Sequence, residues 1–69
     1  MFVIRTKKKH DDAGYSYFAS ERYSLDKEEI TNEINRAEFF VSYSDAEKRL
    51  NASKTKELFS IMSLSFWEA

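Results

Sequence analysis

His10, Asp11 and Asp12 are the one run in this chain that joins an imidazole to carboxylates, the groups that hold metals and move protons. Three consecutive residues on an extended backbone point to alternating sides. The chain has no second histidine to complete a ligand set, so the run reads as a polar turn and no metal site is expected. Nine serines share that single histidine, and none sits in a pattern that marks a strained nucleophile turn. Gly14 is the only glycine, which is too few for a phosphate-cradling loop. Carboxylates are plentiful, but 69 residues leave little room for a water-excluding cleft around a pair of them. The chain reads as non-enzymatic and without a cofactor.

Binding chemistry is better represented. Residues 1–10 carry Arg5, Lys7, Lys8 and Lys9 for a charge of +4, residues 11–47 sum to −7, and residues 48–69 sum to +2. A neutral total of −1 therefore hides segregated poles, which favour steering toward a charged partner. The basic residues Arg5, Lys7, Lys8 and Lys9 precede Tyr15, Tyr17 and Phe18, and together these supply phosphate contacts beside stacking rings, a nucleic-acid signature. The competing role for these lysines is to guard a sheet edge against aggregation. On the acidic side, Asp26, Glu29 and Glu33 are spaced three and four apart with Glu28 between them, close to one helical stripe that would fit a basic groove on another protein. The alternative is a solvated helix face with Glu28 and Arg36 bridged. Eleven aromatic residues exceed what so small a core encloses, so rings among Tyr15, Tyr17, Tyr23, Tyr43 and Trp67 are expected at the surface, where Tyr and Trp anchor interfaces. The alternative is that they close the ends and edges of the core.

The elements that would position these residues follow from periodicity. Phe2 to Lys8 alternates as a strand, His10 to Gly14 forms a hairpin connection, and Tyr15 to Ser20 returns as a second strand. Leu25, Ile30, Ile34 and Ala37 fall at helical spacing over Ser24 to Arg36, with Asp26 as cap, Glu29 completing a capping box and Leu25 stapling on Ile30. Phe39 to Val41 is a brief strand or the anchored end of that helix. Ser42 or Ser44 begins a second helix with Ala46 and Leu50 on one face. Asn51 to Lys56 reads as a loop, and from Leu58 the alternation of Met62, Leu64 and Phe66 with serines marks a final strand. The expected fold is a single α+β domain over residues 1–69, ordered β-β-α-(β)-α-β, with a small antiparallel sheet and two short helices on one face.

Composition narrows the class. Without cysteine the chain is neither a disulfide-stapled miniprotein nor a thiolate zinc module. Outside the N-terminal four residues the longest apolar run is Phe39 to Val41, far below the ~20 residues of a membrane span. The expectation is a cytoplasmic protein with no membrane partner. A domain of this size buries only about 60% of its unfolded surface, which makes a homodimer formed through an open sheet edge a third reading.

The string Ala37-Glu-Phe-Phe-Val-Ser-Tyr-Ser-Asp-Ala-Glu-Lys-Arg-Leu50, with its aromatic, serine cap and Asp-Ala helix start between an N-terminal hairpin and a final strand, resembles the layout of small proteins of phages and mobile elements. Compact anti-CRISPR and other anti-defence proteins share this size and make-up. The resemblance implies a non-enzymatic inhibitor that binds a host protein or protein–nucleic-acid complex, such as a CRISPR effector, in the host cytoplasm. The alternative is a small nucleic-acid-binding or transcription-regulating protein that uses the basic N-terminal strand.

Overall fold

The computed structural model describes residues 1–12, 14–20 and 30–64. Strand β1 (Phe2–Thr6) lies inside a four-stranded antiparallel sheet, flanked on one side by β2 (Tyr17–Phe18) with β3 (Ile30–Thr31) beyond it, and on the other by β4 (Phe59–Ser63). The order is β3-β2-β1-β4. The fold is thus α+β, and β1 and β4 lie where strands are expected, but the core face of β4 carries Phe59 and Ile61 and not the row of Met62 and Leu64, whose expected continuation Phe66 lies outside the described residues.

Register sorts the side chains. Ile4 pairs with Ile61 and Thr6 with Phe59 across β1 and β4, while Arg5 pairs with Tyr17 across β1 and β2. Because successive residues face opposite sides, Phe2, Ile4, Phe59 and Ile61 share one face, and Arg5 shares the other with Tyr17. The first face is the core. Ile4, Phe18, Phe40, Ala46 and Phe59 are buried together, and Phe2, Leu50 and Ile61 pack around them. The rings of Phe18 and Phe59 meet at 4.7 Å between centroids, tilted by 55°.

One α-helix covers this core face. α1 (Tyr43–Asn51) starts where Ser42 accepts a hydrogen bond on its Oγ from the Asp45 backbone N–H at 3.2 Å, as the Ser-x-x-Asp spacing predicts. Asp45 lies in its first turn and Lys48 and Arg49 in its last, both suited to the helix dipole. Ala46 is fully buried, and the absence of a longer side chain there lets the helix sit close on the sheet. The Arg49 guanidinium extends over the Phe18 ring at 4.7 Å.

The segment expected as the first helix differs where it is described. Ile30–Thr31 is β3, and Ile34–Arg36 is a single 3₁₀ turn, so the sheet gains a strand and the fold has one α-helix among the described residues. The physical reason is local. β-branched Ile30, Thr31 and Ile34 favour extended backbone, and two polar side chains stabilise non-helical geometry. Thr31 Oγ1 accepts from the Glu33 N–H at 3.1 Å, and Asn32 Oδ1 accepts from the Ser16 hydroxyl at 3.0 Å. Ile30 and Ile34, which set the helical spacing, are exposed instead of core-facing. The proposed cap Asp26, staple Leu25 and capping-box Glu29 lie outside the described residues.

Other boundaries shift by smaller amounts. The second strand is ladder-paired at Tyr17–Phe18 and extended by a bridge from Ala19 to Ala37. Phe40 exchanges two backbone hydrogen bonds with Phe2, which makes the Phe39–Val41 region a bridge to the sheet and not a helix end. The loop after α1 is shorter than expected, because the helix runs through Asn51 and a 3₁₀ turn occupies Lys56–Leu58. Gly14 has φ 74°, the left-handed value that lets His10 and Gly14 close the hairpin through paired backbone bonds. No helix among the described residues is long and apolar enough to cross a membrane.

Candidate functional site

The basic residues are carried out of the sheet by β1. The Lys7 N–H donates to the Leu58 carbonyl at 2.9 Å, so the ladder between β1 and the start of β4 continues one residue past Thr6. Beyond that bond the chain leaves the sheet, and Lys7, Lys8, Lys9 and His10 are all exposed. They line an open cleft of about 670 Å³ whose other wall is Glu57 and Leu58, with Asp11 at its rim. Leu58 is 63% exposed, an apolar side chain in the same cleft as the three lysines. Two carboxylates against three lysines leave the cleft net positive, so its acids and bases are partly intermingled and the dominant sign is basic.

Arg5 stands one strand position earlier on the face away from α1. Its guanidinium lies over the Tyr15 ring at 3.7 Å from the centroid, a cation–π contact, and its Nε is buried with no hydrogen-bond partner among the described residues. Tyr17, the register partner of Arg5, is half-buried, as is Tyr15. These rings are neither sealed in the core nor free in solvent. The expectation that the lysines guard a sheet edge is corrected, because β1 is an internal strand with neighbours on both sides.

The acidic candidates do not form a described surface. Asp26, Glu28 and Glu29 lie outside the described residues, as do Tyr23 and Trp67. Glu33 is exposed at the start of the 3₁₀ turn and not on a helical stripe, and its Oε2 pairs with Arg36 Nε at 2.8 Å. Glu28, the expected bridging partner of Arg36, lies outside the described residues. Tyr43 is the described ring most open to solvent, 52% exposed at the first turn of α1, with its ring edge-on to Phe2 at 5.9 Å. Val41, two residues earlier, is 80% exposed.

Sequence reasoning missed Leu58 and Glu57 as members of the basic site. They reach Lys7 only through the pairing of strands about fifty residues apart, and a local pattern carries no signal for that. Among the described residues no three His, Cys, Asp or Glu side chains cluster as metal ligands. In comparisons with protein-family models, curated proteins and solved structures, no significant match to the chain is found.

Proposed function

We propose that this chain is a non-enzymatic binding module for single-stranded nucleic acid, with the lysine-lined cleft at the end of β1 as its phosphate-contacting surface. The observation that carries the reading is the convergence of Lys7, Lys8 and Lys9 on one open cleft. Three consecutive cations at one site track a phosphate backbone better than they pair with isolated carboxylates. The nearby face bearing Arg5, Tyr15 and Tyr17 supports it further, since a strand of bases needs planar groups as well as charge. The test is fluorescence anisotropy with a mixed-sequence single-stranded oligonucleotide across a salt series. Binding should be tight at low salt and fall steeply as salt rises. A flat signal at the lowest salt rejects the reading.

A second reading is favoured by a different surface. Val41 and Tyr43 expose apolar and aromatic area at the entrance of α1, the side-chain types that anchor protein interfaces. In that reading the module is an inhibitor that docks on a host nucleic-acid-handling complex, such as a CRISPR effector. Adding the purified chain to an effector's cleavage reaction tests it. Inhibition that Tyr43→Ala abolishes supports docking, and undiminished cleavage removes that target.

A further inference from the structure

β4 is the last strand of the sheet on its side, and its backbone shows which of its groups remain unpaired. Its ladder to β1 runs through the pairs Val3 with Met62 and Arg5 with Ser60, and ends in bonds from Lys7 N–H to Leu58 O and from Leu64 N–H to Met1 O. Hydrogen-bonded pairs alternate along an antiparallel ladder, so Ser60, Met62 and Leu64 turn their backbone groups toward β1, as does the Leu58 carbonyl, whose own N–H donates to the Thr55 carbonyl. Ile61 and Ser63 therefore direct both their N–H and C=O groups outward, where they meet no partner among the described residues, and Phe59 directs its C=O outward, while its N–H donates to the Lys56 carbonyl.

Edges of this kind are usually protected by lysine, proline or a covering element. This one has no such residue: from Leu58 to Trp67 the chain contains neither a charge nor a proline. α1 packs on the face of β1 and β4, and among the described residues no strand pairs with the outer edge of β4. An uncharged edge gives a charged peptide nothing to pair with, but it imposes no repulsion on its own copy.

We propose that the outer edge of β4 pairs with the same edge of a second copy of this chain, antiparallel and centred on Ile61. Of the registers that match outward groups with outward groups, this one uses all three residues on each strand: Phe59 meets Ser63 of the second copy and Ile61 meets Ile61. With each Phe59 N–H already bonded to Lys56, these pairs exchange about four backbone hydrogen bonds. The same register sets Leu58 opposite Leu64 of the second copy at both ends, giving cover to a leucine that is 63% exposed in the single chain. The axis stands perpendicular to the sheet, so both helices fall on one side of a continuous eight-stranded sheet.

The experiment joins a mass measurement to residue-resolved hydrogen exchange. In a dilution series of the wild-type chain, light scattering should show the mass rise from 8.2 kDa toward twice that value as concentration increases. In parallel the amides of Ile61 and Ser63 should gain protection, while those of Phe59, Ser60 and Met62, already bonded within the chain, change little. Ser63→Pro deletes an outward N–H without touching the β1 ladder and should weaken dimerisation by about tenfold. A mass that stays at 8.2 kDa throughout overturns the proposal. So does a dimer in which the Ile61 and Ser63 amides exchange at the same rate at every concentration. If Ser63→Pro does not fold, the wild-type exchange pattern alone decides.

Discussion

Removing the three cleft lysines isolates their share of nucleic-acid binding, because each phosphate contact releases condensed counterions that the salt dependence counts. For single strands each contact contributes about 0.7 to the slope of log affinity against log salt. Lys7, Lys8 and Lys9 are exposed and line one cleft, so all three can be counted as contacts. The triple variant Lys7→Ala, Lys8→Ala, Lys9→Ala should then lose about 2 from that slope. Over a fourfold rise in salt this difference amounts to about 20-fold in relative affinity. The backbone bond from Lys7 to Leu58 needs no side chain, so the fold should persist, which circular dichroism checks. Lys48→Ala on α1, which does not line the cleft, serves as the matched control and should leave the slope unchanged. Anisotropy titrations of one labelled oligonucleotide at several salt concentrations supply all three slopes. A triple variant that keeps the wild-type slope, or a control that loses as much, refutes the cleft as the binding surface.

Other substitutions test the framework behind the site. Phe18→Ala, at a ring 1% exposed and packed on Phe59, should cost about 3–5 kcal/mol in urea unfolding, enough to leave so small a domain largely unfolded. Ser42→Ala should cost about 1 kcal/mol by removing the oxygen that accepts from Asp45 N–H, with Ser42→Gly losing only a few tenths. Glu33→Gln should change stability by less than about 0.5 kcal/mol, since both members of its pair with Arg36 are more than half exposed and screened; a larger loss at high salt would contradict that view. Thr31→Val should relieve the local turn that accepts from Glu33 N–H while keeping β propensity, so β3 should persist by hydrogen exchange at Ile30 and Thr31.

The parts legible in the sequence are those whose cause is local. Ser42, Asp45, Ala46 and Leu50 signal a helix within nine residues, and the cap forms as that spacing requires. Gly14 marks the hairpin because its backbone alone suits φ 74°. Residues 30–36 misled because Ile30 and Ile34 are four apart, the distance of one helical stripe, yet both side chains face solvent. The competing signals were present in the β-branched Ile30 and Thr31 and in Asn32, but they favour a strand only once Phe18 and Tyr17 stand beside them. The site divides in the same way. Lys7 to Lys9 could be read from composition, and Arg5 beside Tyr15 from the two strands flanking one hairpin. Leu58 and Glu57 could not, since their place in the cleft is a consequence of the β1–β4 register.

That register also ties the cleft to the open edge. Leu58 ends the ladder with Lys7, forms the apolar wall beside the lysines, and takes the position opposite Leu64 in the proposed dimer. A ligand in the cleft and a second copy on the edge therefore meet at one side chain. Two binding events that share a group are energetically coupled unless the group is indifferent to both, and a leucine 63% exposed is not indifferent to being covered. By linkage, whatever factor dimerisation applies to anion affinity, anion binding must apply to dimerisation. Under the two proposals, the lysine cleft and the outer edge of β4 adjoin at Leu58, and their equilibria cannot be adjusted independently.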